Sequence, residues 1–309
     1  MRQSRHTGPI LLFGAEGQTG RELRRALATL GPVIPLTRRD VDLADAAALS
    51  RAVRTHTPSL IVNAAAYNAV DRAEEEADLA MAINGTAPGV LAEEAKRAGA
   101  AVVHYSSDYV FGTRVHRTAE GAPRPFREDD PPEPLSAYGR SKLAGEEAIG
   151  AVGGAHLILR TSWVYGARGR TFLAALLRLD LPDQQQLAIV DDQHSCPTWA
   201  SSLADATAQI LAACWALGGA AALRDRGGTY NLAGDGWCSR YDFAVAAFAL
   251  HAARGRSTPS LRAVPSAEFP TLASRPPFSA LDTRAVREAF GVGVPEWRMA
   301  LALCLAGIQ

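Results

Sequence analysis

The first half of the chain alternates short apolar runs with longer stretches in which apolar residues recur every three to four positions. Short apolar runs are typical of strands buried on both faces, and the longer periodicity is typical of helices that bury one face. Strands are predicted over residues 10–13, 33–36, 60–62, 101–105 and 156–160, and helices over residues 20–30, 46–54, 78–98 and 138–149. Alternating strands and helices form a parallel sheet that is covered on both faces. The pattern therefore predicts an α/β fold with a doubly wound parallel sheet of the Rossmann type.

A glycine-rich loop follows the first predicted strand and leads into the first predicted helix. Gly14, Gly17 and Gly20 have the spacing GxxGxxG, and Gln18 and Thr19 lie between the last two. Glycine at these positions permits a tight turn, close approach of the backbone to a pyrophosphate, and close packing of helix on strand. The start of the helix also offers free N–H groups to phosphates. Because the loop lies between a strand and a helix, we predict that it binds a dinucleotide.

The regular alternation loosens after about residue 165. Strand-like residues 187–190 and 228–232 flank a helical stretch over residues 201–215, and two further helical segments surround a proline-rich stretch at 265–277. The length of 309 residues also exceeds one average domain. We therefore expect a dinucleotide-binding domain in residues 1–165, to which about 198–232 return, and a smaller, discontinuous C-terminal substrate-binding domain in residues 166–197 and 233–309.

The residues that follow the second predicted strand bear on which dinucleotide binds. An acidic residue there would accept hydrogen bonds from the ribose of NAD, whereas an arginine would pair with the 2′-phosphate of NADP. The strand is followed by Thr37, Arg38 and Arg39, and Asp40 is expected to lie past the strand end. The sequence therefore favours NADPH over NADH, with the alternative that both arginines only face solvent.

Tyr138 and Lys142 lie four residues apart, so both project from one face of a predicted helix. A nearby ammonium and an oxidised nicotinamide would lower the pKa of the phenol. The tyrosine could then deliver a proton to a carbonyl oxygen while hydride reaches the carbon. The spacing is common by chance, but Lys96 and Lys142 are the only lysines among 32 basic residues. Arginine differs in shape and acidity, so the sequence predicts a proton-handling pair here.

A third catalytic group is expected at the end of the fourth predicted strand. The carboxyl ends of parallel strands are where this fold places its chemistry. Ser106 and Ser107 follow the apolar part of that strand, and either could offer a hydroxyl to the same carbonyl oxygen.

Composition and charge exclude several other classes of protein. Basic and acidic residues number 32 each and give a formal net charge of +0, so no excess of positive charge can hold a nucleic acid or a membrane surface. The four cysteines form no CxxC pair, which argues against a zinc site and against a disulfide framework. No apolar stretch reaches the ~18 residues that would span a bilayer, and the first residues lack the apolar region of a signal peptide. We expect a cytoplasmic protein.

Together these residues resemble the extended short-chain dehydrogenase/reductases and, within them, the dTDP-4-dehydrorhamnose reductase family. The similarity runs nearly end to end, and its most specific stretches are residues 63–67 (NAAAY) and 160–165 (RTSWVY). The resemblance implies transfer of a hydride from NAD(P)H to the C4 ketone of dTDP-4-dehydro-L-rhamnose, which gives dTDP-L-rhamnose. It implies a dTDP-linked nucleotide-sugar as the partner, and the protein would act as a monomer or homodimer.

The resemblance also implies roles for individual residues. The catalytic residues would be Tyr138, Lys142 and Ser107. The adenine of the cofactor would lie near Asp42 and Leu43. The residues that would bind the cofactor are Gly14, Gly17, Gln18, Thr19, Gly20, Arg38, Asp42, Leu43, Ala64, Ala65, Ala66, Tyr138 and Lys142. The nucleotide-sugar would contact Ser107, Asp108, Tyr138, Trp163 and Arg275, and the guanidinium group suits a diphosphate. We assign no metal site.

The sequence departs from the family pattern at several positions, and two other functions stay open. Ser107 stands where the family usually has threonine, which keeps the hydroxyl, and Thr37 replaces an acidic residue, which weakens a preference for NADH. The substrate could be a related deoxy-ketosugar nucleotide. The protein could also be a non-catalytic dinucleotide-binding subunit like the regulatory subunit of methionine adenosyltransferase. The intact pair of Tyr138 and Lys142 argues against the second alternative.

Overall fold

The computed structural model describes residues 8–167, 169, 171–178 and 186–307. Twelve strands occur in the described residues: β1 (Ile10–Phe13), β2 (Val33–Leu36), β3 (Leu60–Asn63), β4 (Ala101–Ser107), β5 (His156–Thr161), β6 (Val164–Tyr165), β7 (Gln186–Val190), β8 (His194–Ser195), β9 (Thr198–Trp199), β10 (Gly228–Asn231), β11 (Cys238–Ser239) and β12 (Ser260–Val264). Every strand predicted from the sequence is among them. The short strands β6, β8, β9 and β11, together with β12, were not predicted.

Six of these strands form one sheet in the order β10-β5-β4-β3-β1-β2, and each neighbouring pair is parallel. The predicted doubly wound parallel sheet is therefore confirmed. The chain leaves β1 for β2 on one side and then returns to β3 on the other side. The loops after β1 and β3 therefore diverge and leave a crevice at the carboxyl ends of these strands, where doubly wound folds bind their ligands.

The helices of the described residues are α1 (Gln18–Leu27), α2 (Ala46–His56), α3 (Arg72–Glu75), α4 (Ala77–Met81), α5 (Ala87–Ala98), α6 (Ala137–Val152), α7 (Phe172–Leu177), α8 (Ala200–Ala216), α9 (Ala220–Arg226), α10 (Arg240–Ala252), α11 (Arg284–Phe290) and α12 (Trp297–Ala306). No single one of them could span a membrane by length and apolarity, although the bent pair of α8 and α9 would pass if counted together.

The helix predicted over residues 78–98 is confirmed, because residues 77–98 are helical throughout, but it contains an irregular turn that was not predicted. The structure has α4, then a π-helical turn over Ala82–Thr86, and then α5. Pro88 has no N–H to donate to the carbonyl of Asn84, so a regular helix would lose a hydrogen bond there. The Asn84 side chain is buried and bonds both the backbone of Tyr67 and the hydroxyl of Ser141. Contacts from distant parts of the chain thus stabilise the irregular turn.

Two layers of helices cover the sheet, and consecutive strand residues face opposite layers. Ile10 and Leu12 of β1 pack in a cluster with residues of α1 and α8, while Leu11 and Phe13 pack in a cluster with residues of α2 and α5. All four residues of β1 are buried. A strand buried on both faces needs an uninterrupted apolar run, which explains why the sequence shows this strand so clearly.

The later part of the chain both joins this sheet and builds on it. Residues of α8 pack on α1, and β10 extends the sheet beside β5. The strands β7 and β12 form a separate parallel pair, against which α10 packs through Ala244 and Phe248. Val286 of α11 belongs to the core of the main sheet. The proposed domain limits stay a prediction, and residues 179–185 of the expected smaller domain lie outside the described residues.

Candidate active site

The glycine loop has the geometry of a phosphate-binding turn. Gly14 has φ +76°, and a Cβ there would lie 2.7 Å from the backbone nitrogen of Ala65. At Gly20 a Cβ would lie 2.0 Å from the carbonyl oxygen of Gly14. Gly17 precedes the first turn of α1 and offers no side-chain cap, which leaves the N–H groups at that end of α1 free for an anion. The buried Nε2 of Gln18 also has no hydrogen-bond partner in the described part of the chain. These features fit a dinucleotide pyrophosphate.

A cavity of about 380 Å³ opens at the carboxyl ends of the central strands. It brings together the glycine loop, the segments that follow β3, β4 and β5, and the face of α6. Its walls are Gly17, Gln18, Thr19, Ala64, Ala65, Ala66, Asn68, Val70, Tyr105, Ser106, Ser107, Asp108, Tyr109, Tyr138, Lys142, Thr161, Ser162, Trp163 and Val164. Most residues predicted for catalysis and for binding therefore surround one space.

A second, smaller cavity of about 160 Å³ holds the residues predicted to lie near the adenine. Arg38, Asp42 and Leu43 line it, and Ala65 and Ala66 line both cavities. The two spaces are thus adjoining parts of one groove that crosses the end of the sheet at the switch point. The length and position of this groove fit an extended dinucleotide.

The charged residues after β2 are arranged as the sequence predicted. The strand ends at Leu36, and Asp40 lies beyond it, where its carboxylate accepts hydrogen bonds from the N–H (2.8 Å) and hydroxyl (2.7 Å) of Thr37. These bonds lower the pKa of Asp40. Because this carboxylate is engaged in its own turn, the exposed Arg38, 3.6 Å from Asp42, is the group available at this end of the groove.

The position of Tyr138 depends on how closely α6 approaches the end of β4. Ser136 caps the helix by accepting a hydrogen bond from the N–H of Gly139 at 3.1 Å. A Cβ at Gly139 would lie 2.2 Å from the carbonyl oxygen of Tyr109, so only glycine permits this packing. Tyr138 is half-buried in the cavity wall and is hydrogen-bonded to Ser107, which joins the first and third predicted catalytic residues.

Lys142 is almost fully buried, one turn further along α6. Its Nζ donates to the carbonyl oxygen of Tyr105 at 2.5 Å and lies 3.3 Å from Nε2 of His104. Burial lowers the pKa of Lys142 to about 8, and the negative charge of Glu146 opposes this shift.

In the protein chain alone the pKa of Tyr138 is raised; the lowering expected with a bound nicotinamide stays a prediction. Burial raises the pKa of this phenol, and the hydrogen bond with Ser107 only partly opposes the increase. The ammonium of Lys142 is directed to a strand carbonyl rather than to the phenol. Tyr138 is therefore held as a protonated phenol, which is the form that can donate a proton.

Asp108 is predicted to contact substrate, but its carboxylate is engaged by four hydroxyl groups. Ser107 donates to Oδ1 at 3.1 Å, and Ser162, Ser195 and Ser279 donate to Oδ2 at 3.0, 2.9 and 2.6 Å. Burial raises the pKa of Asp108, and the hydroxyls oppose this. The carboxylate thus joins four segments of the chain and orients the hydroxyl of Ser107. Substrate contact by Asp108 stays a prediction.

Trp163 forms part of the cavity wall in a strained backbone conformation. Its φ is +37°, which is rare for a bulky residue and is most often found at functional sites. The guanidinium carbon of Arg240 lies 4.3 Å from the centre of its ring. Arg240 could not be predicted from the sequence, because it lies at the start of α10, remote from every motif.

Arg275 lies beside the cavity rather than in its wall. Its guanidinium pairs with Asp71 at 2.8 Å and is hydrogen-bonded to Tyr109, which does line the cavity. The positive charge of Arg240 also faces Tyr109. Two guanidinium groups therefore flank one side of the cavity, of which the sequence predicted only Arg275. Contact of Arg275 with a diphosphate stays a prediction.

No group of three or more His, Cys, Asp or Glu side chains in the described residues could hold a metal ion.

Residues 8–309 match the family model for the RmlD substrate binding domain. The chain belongs to this family. A dTDP-4-dehydrorhamnose reductase of Burkholderia thailandensis is 43% identical, with 96% of this chain and 97% of that protein covered. A dTDP-4-dehydrorhamnose reductase structure from Clostridium acetobutylicum has a TM-score of 0.85 and 32% identity over 96% of this chain and 98% of that one. Another, from Bacillus anthracis in complex with NADP, has a TM-score of 0.84 and 28% identity over 97% and 99%. The resemblance to this family and the Rossmann-type fold are thereby confirmed.

Proposed function

We propose that this RmlD-family protein is an NAD(P)H-dependent dTDP-4-dehydrorhamnose reductase. It reduces the C4 ketone of dTDP-4-dehydro-L-rhamnose to give dTDP-L-rhamnose, with NADPH as the preferred cofactor, and it acts in the cytoplasm as a monomer or homodimer. The observation that carries this proposal is a single cavity that holds the glycine loop together with Ser107, Tyr138 and Lys142. The names of its relatives support the same reaction.

The cofactor groove supports a dinucleotide and favours NADPH. The N–H groups of Gln18 and Thr19 at the start of α1 would meet the pyrophosphate, and Arg38 would pair with a 2′-phosphate. The residues of the adjoining cavities, Ala64 to Ala66, would lie along the cofactor between its two ends. When bound, the reduced nicotinamide supplies the hydride.

The protein supplies the proton and holds the ketone. Tyr138, kept protonated by its raised pKa, donates its proton to the C4 oxygen as the carbonyl carbon is reduced. Ser107 bonds Tyr138, and its own hydroxyl is oriented by Asp108 and by the N–H of Tyr109 at 3.1 Å. Lys142 lies one helical turn away, where its positive charge can stabilise the negative charge of the Tyr138 phenolate after the proton has left.

The nucleotide-sugar would enter past Trp163 and Tyr109. The aromatic face of Trp163 suits an apolar sugar face or a base, and Arg275 together with Arg240 suits a diphosphate. This arrangement supports the expected contacts of Trp163 and Arg275 with the substrate.

Oxidation of NADPH in the presence of dTDP-4-dehydro-L-rhamnose tests the proposal directly. The Tyr138→Phe variant should lose turnover by roughly 100-fold or more, the range for removal of a general acid. Tyr230→Phe is the matched control, because the Tyr230 hydroxyl donates to the carbonyl of Arg226 and does not line the cavity formed by the described residues. Unchanged turnover in Tyr138→Phe would contradict the mechanism.

Two further arms separate the alternatives. Faster turnover of another deoxy-ketosugar nucleotide would replace the assigned substrate but keep the chemistry. Binding of NADPH without its oxidation by any ketosugar, together with a stable protein partner in a pull-down, would favour a regulatory subunit instead.

A further inference from the structure

A row of buried polar contacts runs from Ala65 in the cofactor groove to Lys142. The N–H of Ala65 donates to Oδ1 of Asn63 at 3.2 Å, and Nδ2 of Asn63 lies 3.2 Å from Nδ1 of His104. On its other side, Nε2 of His104 lies 3.3 Å from Nζ of Lys142. Asn63 and His104 are paired residues of β3 and β4, and each is only 1% exposed. No part of the mechanism above uses either of them.

The backbone fixes the direction of the hydrogen bonds in this row. The N–H of Ala65 can only donate, so the atom of Asn63 that faces it is the carbonyl oxygen. The amide nitrogen of Asn63 then faces His104 as a donor, and Nδ1 of His104 must accept. Burial lowers the pKa of His104 well below its usual value, so the ring is neutral and carries one proton. That proton is consequently on Nε2, which faces Lys142.

This arrangement affects Lys142 according to its charge. An ammonium group carries three donors and no acceptor, so it would meet the N–H of His104 donor to donor. An uncharged amine has a lone pair that can accept from Nε2, while it still donates to the carbonyl oxygen of Tyr105. The ammonium is accommodated only if the His104 proton moves to Nδ1, which breaks the hydrogen bond from Asn63.

We propose that Asn63 and His104 are positioning residues that hold Lys142 in place and set its protonation state. In the protein without ligands, the Asn63–His104 pair favours the amine form of Lys142. A rearrangement of this pair accompanies the ammonium form. The proposal depends on the proposed function only for its consequence in turnover, because the position and charge of Lys142 can be measured without substrate.

Other polar and charged groups besides His104 surround Lys142. Tyr138 and Glu146 face it from its own helix, and the carbonyl of Tyr105 faces it from β4. Glu146 is itself paired with the buried Arg160 of β5 at 2.7 Å, which balances much of its charge. Burial lowers the pKa of Lys142, in the same direction as the proposed effect of His104.

The tautomer of His104 is the first test and needs only the unaltered protein. Long-range ¹H–¹⁵N correlation spectra of histidine-labelled protein distinguish a proton on Nε2 from one on Nδ1, and a His104→Gln variant assigns the signal. Above about pH 8, where Lys142 is mostly the uncharged amine, we expect the Nε2–H tautomer. An Nδ1–H tautomer or a charged ring in that pH range would overturn the proposal.

The charge of Lys142 is the second test, and the sequence makes it simple, because Lys96 and Lys142 are the only lysines. Lysine labelled at Cε with ¹³C gives two signals to follow against pH, and a Lys96→Arg variant assigns them. Asn63→Ala frees His104 to place its proton on Nδ1, so the titration midpoint of Lys142 should rise by about one pH unit.

Asn84→Ala is the matched control for this titration. Asn84 is also a buried asparagine, and in the described part of the chain it is hydrogen-bonded to Tyr67 and Ser141 rather than to His104 or Lys142. The titration midpoint of Lys142 in Asn84→Ala should match that in the unaltered protein. A midpoint in Asn63→Ala no higher than in Asn84→Ala would overturn the proposal. If Asn63→Ala does not fold, the tautomer measurement decides. Both measurements can be made, and keep their meaning, even if the protein lacks the proposed reductase activity.

Discussion

Replacing Lys142 with methionine should stabilise the folded protein while abolishing turnover. Methionine is of similar length, flexible and apolar, so it can fill the same buried space. Burial lowers the pKa of Lys142 from 10.5 to about 8. Each pH unit corresponds to about 1.4 kcal/mol, so the charged form costs the fold about 3 kcal/mol.

Lys142→Met removes this cost, but it also removes the hydrogen bond from Lys142 to the carbonyl oxygen of Tyr105. A typical hydrogen bond contributes about 1 kcal/mol. The free energy of unfolding at pH 7 should therefore rise by about 2 kcal/mol in Lys142→Met. Catalytic groups often reduce stability in this way, because function requires a charge where the fold would prefer none.

The stability advantage of Lys142→Met should decrease as the pH rises. Between about pH 8 and 10.5 the unfolded chain binds more protons at this lysine than the folded chain does, so the stability of the unaltered protein rises with pH in that window. Lys142→Met lacks this contribution. Its advantage should therefore be full below pH 8 and disappear by about pH 10.5.

Urea unfolding of both proteins across this pH range measures the difference. Lys96→Met is the matched control, because Lys96 is exposed and its Nζ donates to the carbonyl oxygen of Val152 at 2.6 Å. It should change the free energy of unfolding by less than about 1 kcal/mol. The reasoning is refuted if Lys142→Met is less stable than the unaltered protein at pH 7, or if its advantage does not shrink as the pH rises.

Three further predictions concern the rest of the site. Asp108→Ala removes the acceptor that four buried hydroxyls share and should lower the free energy of unfolding by about 2–3 kcal/mol. Asp205→Ala, whose carboxylate is largely exposed, should cost about 1 kcal/mol or less; equal melting temperatures of the two variants would contradict this. Gly20→Ala places a Cβ 2.0 Å from a carbonyl oxygen of the glycine loop and should weaken NADPH binding, followed by cofactor fluorescence, at least roughly tenfold. Gly31→Ala, which meets nothing within 4 Å, should leave the affinity unchanged. Arg275→Ala should raise KM for the nucleotide-sugar about 10-fold or more with little change in kcat, and an unaltered KM would remove Arg275 from the substrate site.

Short apolar runs bounded by turn residues could be predicted closely from the sequence. The strands β1 and β2 have the predicted limits, because each is a short apolar run between turn residues. The helix predicted over residues 78–98 also has nearly the predicted limits, but its π-helical turn was not predicted. The turn at Asn84 is stabilised by Tyr67 and Ser141, which are distant in sequence, and no local pattern reports such contacts.

The same distinction applies to the site. The glycine loop, Tyr138 and Lys142 could be predicted because their chemistry requires a fixed spacing within one turn or one helix. A buried histidine in the apolar run of β4 was a signal that sequence reasoning passed over, since a polar residue buried in a strand needs a partner. Arg240 gave no such signal, because its place beside Trp163 depends on how the later segments pack.

The sequence by itself determined the layered fold, the cofactor groove and the pair of Tyr138 and Lys142, because periodicity and spacing are local properties. Only the tertiary structure decided how these groups are protonated. The depth at which Lys142 is buried, the four hydroxyls on Asp108 and the direction of the Asn63–His104 hydrogen bond arise from segments that meet only after folding. A pKa depends on the surroundings of a group from every side, and those surroundings do not exist in the unfolded chain.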